Sequence, residues 1–116
     1  MALQRYADRC RDRRVLLDEA MRNVVAVCRA EPSVREAYVV GSYATEKIGP
    51  TSDLDVLVVR ATDLGIIDRA IDLKMAARSR VSIDLVVVTP YEFECTFPAS
   101  SFGRTVLAMA RRIYAA

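Results

Sequence analysis

The sequence predicts a small α+β (α/β-like) domain with a mixed β-sheet of three or four strands and helices packed on one face. Runs rich in Val, Ile and Leu alternate with amphipathic stretches at helical spacing, which is typical of mixed α and β structure. The chain has 116 residues, 53% of them hydrophobic. It is therefore long enough to bury one core, and we expect a single domain.

Hydrophobic spacing and turn residues place the elements in order. A long amphipathic helix is expected from Leu3 to about Arg29, before Pro32. It is followed by strands over 35–41, 53–60 and 81–88, a short helix over 43–47 and a longer one over 62–78. After a short helix over 91–95, a last helix capped by Ser101 is expected to pass through Ile113. The domain is thus divided into an N-terminal helix (1–30), a core carrying the candidate site (35–88) and C-terminal helices (90–116).

Three aspartates interrupt the apolar strand runs. Asp53 and Asp55 open the second strand, and Asp84 lies inside the third. Residues i and i+2 of a strand share a face, with Cα atoms about 7 Å apart, so Asp53 and Asp55 can converge. Taken singly, each acid is more typical of a turn or a water-facing strand position. Together they predict a site for divalent metal ions, because carboxylates held this close repel unless a cation lies between them. Asp84 joins this site if the third strand pairs beside the second.

Gly41 and Ser42 lie at the turn between the first strand and the short helix. A residue without Cβ lets a phosphate approach the backbone, and Ser42 is a good N-cap whose neighbouring N–H groups can hold an anion. A plain strand-to-helix turn is the alternative interpretation. The chain has neither a Walker A loop nor a Gly-x-Gly-x-x-Gly fingerprint. Gly41 and Ser42 are therefore the candidate nucleotide-binding residues.

The spacing Gly41-Ser42-x10-Asp53-x-Asp55, with Asp84 on a later strand, resembles the minimal nucleotidyltransferases of the DNA polymerase β superfamily. The resemblance covers 37–88 and implies the nucleotidyltransferase fold. It implies that Gly41 and Ser42 hold the triphosphate of an NTP and that Asp53 and Asp55 bind two Mg²⁺ ions. It also implies that Asp84 completes the site of the catalytic ion and helps to deprotonate the attacking hydroxyl. Many members carry an arginine and a glycine directly after Gly-Ser, whereas Tyr43 and Ala44 follow here, so a basic contact to the γ-phosphate is either missing or supplied by Lys47.

The same resemblance implies a biological role. Small members of this group act as antitoxins of HEPN/MNT toxin–antitoxin pairs, and some transfer AMP from ATP to a separately encoded helical HEPN toxin. The expected function is therefore Mg²⁺-dependent transfer of a nucleoside monophosphate, AMP from ATP, to a hydroxyl on a partner protein. Two alternatives stay open: an antitoxin that acts by contact alone, and a small-molecule nucleotidyltransferase of the aminoglycoside type. A homo-oligomer is also open.

Charge and cysteine content restrict the partners and the compartment. The net charge of +2 is too small to indicate nucleic acid binding. Arginines cluster near the N-terminus, but Asp8 and Asp12 interrupt them, so a solvated helix face is expected. The three cysteines have no metal-ligand spacing, and neither a signal peptide nor a membrane-length apolar run is apparent. We therefore expect a cytoplasmic protein without membrane contact.

Overall fold

The computed structural model describes residues 2–116 and, from Arg5 onward, their side chains. Met1 and the side chain of Leu3 lie outside this description. The elements in chain order are α1 (Ala2–Ala30), β1 (Val34–Val40), α2 (Gly41–Thr45), β2 (Leu54–Arg60), α3 (Asp68–Ala77), β3 (Ile83–Val88), a π-helical turn (Glu92–Thr96), α4 (Phe97–Ala99), α5 (Ser101–Met109) and β4 (Arg111–Ala115).

The four strands form one mixed sheet in the order β3-β2-β1-β4. β1 pairs antiparallel with both β2 and β4, whereas β2 and β3 are parallel and are connected through α3. A parallel pair requires such a crossover, because the chain must return to the same end of the sheet before the second strand begins. The predicted fold class is confirmed.

α1 and α3 cover one face of the sheet, as expected. Leu17 and Val24 of α1 and Leu73 of α3 are buried against Val39 and Val56. On β2, every second residue from Leu54 faces these helices, in accordance with the period of two of a strand. This face contains most of the buried side chains of the protein.

The opposite face is also covered, which goes beyond the prediction of helices on one face. Leu57, Val59 and Val88 form a second buried cluster, packed by Phe93, Phe97, Val106 and Leu107 from the C-terminal helical segment. The reason is visible in β2, where 56–59 is a continuous apolar run. Such a run needs an apolar partner on both faces of the sheet.

The C-terminal residues differ from the prediction of helices throughout 90–116. The Ser100 hydroxyl, rather than that of Ser101, caps α5 by accepting a hydrogen bond from the Gly103 N–H at 2.9 Å. The helix ends at Met109, and Ile113 lies in β4, paired with β1. Pairing with an open strand edge is a long-range effect that the helical spacing of Val106, Met109 and Ile113 cannot report.

The helix expected over 62–78 begins only at Asp68. Its first part is instead a loop in which the Thr62 hydroxyl accepts a hydrogen bond from the Leu64 N–H at 3.1 Å. Gly65, which has low helix propensity, lies within this loop. In the described part of the chain, none of the helices combines the length and the apolarity needed to cross a membrane.

A buried arginine connects α3 to the segment that follows β3. Arg69 donates to the carbonyl oxygens of Leu64 and Val87, and its guanidinium pairs with Glu92 at 2.6 Å. Glu92 also accepts from the Thr89 N–H while the Thr89 hydroxyl accepts from the Glu92 N–H, which is a reciprocal capping box. These bonds fix where the chain turns onto the second face of the sheet.

Candidate active site

The register of β2 against β3 brings two of the predicted acids together. Asp55 and Asp84 are direct Cα partners in the parallel pair. Asp55 lies on the same face as Leu57, and Asp84 on the same face as Val86, so both side chains emerge on the face that carries α5. The condition on which the sequence prediction depended, that the third strand pairs beside the second, is met.

The pair carries uncompensated negative charge. Burial raises the pKa of Asp55 to about 6, and the hydrogen bond to Asp84 and the charges of Asp84 and Asp53 act in the same direction. Desolvation and like charges both disfavour an ionised carboxylate. A bound cation would reverse this effect, so the pair has the electrostatic character of a cation site.

Asp53 lies immediately before β2, between Arg13 and the other two acids. One of its carboxylate oxygens is 3.7 Å from Nη2 of Arg13 on α1, and its side chain is 44% exposed. It is close enough to Asp55 to contribute to the raised pKa of that residue. The structure therefore brings Asp55 and Asp84 into direct contact and places Asp53 beside them.

Gly41 joins the acids at the same edge of the sheet. β1 runs antiparallel to β2, and Val40 pairs with Asp55, so the turn that ends β1 faces the start of β2. Gly41 has φ +68°, and a Cβ there would lie 2.3 Å from Oδ2 of Asp55. Only glycine combines this backbone conformation with such a close carboxylate. The Gly41 N–H donates to Sδ of Met109 at 3.3 Å.

Ser42 has a different local role from the one predicted. α2 begins at Gly41 with Val40 at the N-cap position, and no side chain caps it. Ser42 therefore lies in the first turn of α2, where its carbonyl accepts from the Lys47 N–H at 3.0 Å. The side chain of Lys47, the candidate for the missing arginine, is exposed.

A cavity of about 250 Å³ opens beside the acids. Its wall includes Gly41, Asp55 and Asp84. Its remaining lining is apolar and comes from β1, β2, β3 and the C-terminal helices: Val40, Val56, Leu57, Val86, Phe97, Phe102, Val106 and Met109. A larger groove of about 550 Å³ lies between α1 and α3, away from the acids. The volume of a cavity therefore does not identify the candidate active site. The convergence of two carboxylates on a cavity with an apolar wall does identify it.

Two contacts of the site escaped the sequence prediction. Arg13 was assigned to a solvated helix face, yet its side chain is only 20% exposed and reaches Asp53. A signal for this existed, because Arg13 lies four residues before the buried Leu17, on the same stripe of α1. Met109 was assigned to the apolar side of a helix, and its sulfur contact with Gly41 has no local sequence signal.

The donor set fits Mg²⁺ bound together with a substrate. Within residues 2–116, no three acidic or sulfur side chains converge into a preformed cage for a metal ion. Mg²⁺ is usually held by one or two carboxylates plus substrate phosphates rather than by such a cage. Asp55 and Asp84 supply the carboxylates, Asp53 lies within electrostatic range, and the turn at Gly41 leaves no Cβ between Asp55 and an approaching phosphate.

Comparison with known proteins agrees with this geometry. A family model described as "Nucleotidyltransferase domain" matches residues 21–108. Among curated proteins, none matches the chain. A solved structure from Sulfolobus solfataricus, named as a candidate nucleotidyltransferase, is 25% identical with a TM-score of 0.58, covering 74% of this chain and 78% of that one.

Two further similar structures are toxin–antitoxin complexes. One, solved with AMP-PNP, is 20% identical with a TM-score of 0.56 and covers 83% of this chain and 73% of its own. The other, a mutant of the pair MntA–HpeT, is 22% identical with a TM-score of 0.54 and covers 80% and 70%. At these identities the two complexes share the fold with this chain.

The family model spans more than half of the chain. This protein therefore belongs to the nucleotidyltransferase domain family, and the resemblance to that family seen in the sequence is confirmed.

Proposed function

We propose that this protein transfers AMP from ATP to a hydroxyl group of a partner protein and acts as the antitoxin of a toxin–antitoxin pair. The observation that carries the proposal is the pairing of Asp55 with Asp84, with the glycine turn at Gly41 packed against Asp55. Membership of the nucleotidyltransferase domain family supports nucleotidyl transfer. Similarity to two toxin–antitoxin complexes, one of them solved with an ATP analogue, supports the nucleotide and the partner.

In the proposed reaction the acceptor hydroxyl attacks the α-phosphorus of ATP. A new P–O bond forms to the acceptor, the bond to the β-phosphate breaks, and pyrophosphate leaves. Gly41 and Ser42 orient the triphosphate, and Asp84 accepts the hydroxyl proton. Asp53, Asp55 and Asp84 would hold two Mg²⁺ ions, which neutralise the charge that develops on the attacking and leaving oxygens when bound. Most of the catalytic effect of the chain's own residues is then positioning.

The partner in this proposal is a separately encoded helical toxin of the HEPN type. The apolar lining of the cavity beside Asp55 and Asp84 supports an acceptor delivered on a protein side chain. An aminoglycoside is cationic and rich in hydroxyls, and the described lining offers it few polar groups besides the two carboxylates. This contrast favours a protein acceptor over the antibiotic-modifying alternative.

The test is transfer of label from α-³²P-ATP in the presence of Mg²⁺, with and without lysate of the source organism. We expect label on another protein, and none with Asp55→Ala or Asp84→Asn. Asp63→Asn is the matched control, because Asp63 is an exposed aspartate in the loop after β2. Binding of ATP without labelled protein would favour a small-molecule acceptor. Neutralisation of the partner without any binding of ATP would favour an antitoxin that acts by contact alone.

A further inference from the structure

Arg13 is the most buried of the described arginines near the start of α1, and the side chain of its neighbour Arg14 is 43% exposed. The side chain of Arg13 is 20% exposed, whereas Arg5, Arg9 and Arg11 are exposed. It lies one helical turn before the buried Leu17, on the face of α1 that packs against the sheet. An arginine in such a position needs partners for its guanidinium, since burying an unpaired charge is costly.

Its partners are two consecutive residues at the entrance of β2. The Nε–H donates to the carbonyl oxygen of Ser52 at 2.8 Å, and Nη2 lies 3.7 Å from Oδ1 of Asp53. The guanidinium is planar and rigid, so a single side chain contacts the backbone on one side and the carboxylate on the other. Arg13 therefore restricts both the path of the chain into β2 and the direction of the Asp53 side chain.

The segment 49–53 has little else to hold it. The Ser52 N–H donates to the Gly49 carbonyl at 3.3 Å, and the Ser52 hydroxyl accepts from the Gly49 N–H at 2.8 Å, but both bonds are internal to the turn. Pairing with β3 begins only at Leu54, whose N–H donates to the Ser82 carbonyl. In the described part of the chain, Arg13 provides the side-chain hydrogen bond that ties this segment to another element.

The distances separate two possible roles. The bond to the Ser52 carbonyl has full hydrogen-bond geometry, whereas the 3.7 Å approach to Asp53 is longer than a hydrogen bond. Arg13 thus orients the Asp53 carboxylate without forming a hydrogen bond to it, which leaves both carboxylate oxygens available to bind a cation. A residue that merely neutralised Asp53 and competed with a cation would be expected to bind the carboxylate more closely than the backbone.

We infer that Arg13 is a positioning residue that anchors the Ser52 carbonyl and aims the Asp53 carboxylate at the divalent cation held by Asp55 and Asp84. This inference rests on the proposed function, because it assumes a cation at the acids. It assigns a role in the site to the N-terminal helix, which lies outside the stretch that carries the sequence motif.

The test uses Mn²⁺ as the probe, alone and together with AMP-PNP, titrated into the full chain and followed by electron paramagnetic resonance. Loss of a residue that orients a metal ligand costs about 10–100-fold in metal affinity, so we expect Arg13→Gln to bind Mn²⁺ about tenfold more weakly. Arg13→Lys keeps the charge but lacks the planar guanidinium that contacts Ser52 and Asp53 together, so we expect its affinity for Mn²⁺ to be as low as that of Arg13→Gln. Arg11→Gln, an exposed arginine of the same helix, is the control and should match the wild type.

Hydrogen exchange provides a second measurement that does not involve the metal. In Arg13→Gln the amides of Thr51, Ser52 and Asp53 should exchange several-fold faster, with those of β2 unchanged. Equal or tighter Mn²⁺ binding by Arg13→Gln, wild-type binding by Arg13→Lys, or unchanged exchange would each overturn the inference. Absence of Mn²⁺ binding by the wild type and Arg11→Gln alike, both with and without AMP-PNP, would instead overturn the proposed function, and the inference with it.

Discussion

Replacing Gly41 by alanine would place a methyl group where the structure has the Asp55 carboxylate. The added Cβ would lie 2.3 Å from Oδ2, 3.2 Å from Cγ and 3.5 Å from Cβ of Asp55. Rotation of the carboxylate can relieve the first contact but not the second, because Cγ stays close whatever the rotation. We therefore expect the substitution to displace the Asp55 side chain as a whole.

The backbone adds a second cost. Gly41 has φ +68°, and an L residue in the left-handed region costs about 1–2 kcal/mol. A domain of this size loses about 4 °C in Tm for each 1 kcal/mol, so the backbone contribution of Gly41→Ala amounts to about 4–8 °C. The displaced carboxylate should lower Mn²⁺ and ATP binding in addition. Both quantities are measurable, by thermal denaturation in EDTA and by titration.

Gly65→Ala is the matched control. Nothing lies within 4 Å of a Cβ at Gly65, and its φ is outside the left-handed region. Replacing glycine where alanine fits reduces the entropy of the unfolded chain and stabilises a protein by about 0.4–1 kcal/mol. We expect Gly65→Ala to leave Tm unchanged or slightly raised and ligand binding intact.

A double-mutant cycle separates the steric contribution from the backbone contribution. In an Asp55→Ala background the carboxylate is gone, and the remaining Cβ contact of 3.5 Å is an ordinary one. Gly41→Ala should then cost only its backbone strain. The reasoning is refuted if Gly41→Ala costs as much in the Asp55→Ala background as in the wild type, or if it is as harmless as Gly65→Ala.

Other expected results concern charge, burial and capping. Because the pKa of Asp55 is raised to about 6 from an ordinary 3.8, protonation of Asp55 stabilises the metal-free fold at low pH. That stability is lost as the pH rises through about 6, and it amounts to about 1 kcal/mol after allowance for solvent screening. Urea denaturation of Asp55→Asn in EDTA should show the loss of this pH dependence, and an unchanged profile would contradict it. Arg69→Met should destabilise the fold by about 3 kcal/mol, because it leaves buried acceptors unpaired; a loss below about 1 kcal/mol in denaturant titration would argue against it. The pKa of Glu92 is lowered by the hydrogen bond from the Thr89 N–H and by Arg69. Its contribution to stability is thus present above its ordinary value of 4.5 and is lost as the pH falls below that value, so Glu92→Gln should weaken the acid limb of the same profile. Ser100→Ala removes the cap of α5 and should lower stability by about 1 kcal/mol, and a melt identical to that of the wild type would show that the cap is dispensable.

The parts of the site that follow from local chemistry could be predicted from the sequence. The glycine turn and the acids at strand entrances carry their signals within a few residues. The pairing of β2 with β3 entered the prediction only as a condition, and its parallel direction comes from the structure. Asp84 was identified as a candidate site residue because a single charge inside an apolar strand is costly to bury without a partner. The predicted roles of Asp53, Asp55, Asp84, Gly41 and Ser42 in binding metal and nucleotide remain predictions.

The parts that depend on long-range contacts could not be predicted in the same way. β4 forms because it can pair with the open edge of β1. The local sequence of 111–115 does not distinguish such a strand from the last turn of a helix. The C-terminal helices cover the second sheet face because Leu57 and Val59 need cover, yet a short apolar run is compatible with several arrangements. Arg13 was grouped with its neighbours in sequence, although helical periodicity sets it apart from them.

The direct pairing of Asp55 with Asp84 restricts how relatives of this protein can differ in length. Deleting or inserting one residue inside β3 before Asp84 would turn its carboxylate to the opposite face of the sheet, where α1 and α3 pack. The stretch between β2 and α3 is an exposed loop, and extending a loop costs little. Insertions and deletions should therefore accumulate between Ala61 and Ile67 and be absent between Ile83 and Asp84, so the spacing from Asp55 to Asp84 can vary widely among relatives that keep the same chemistry.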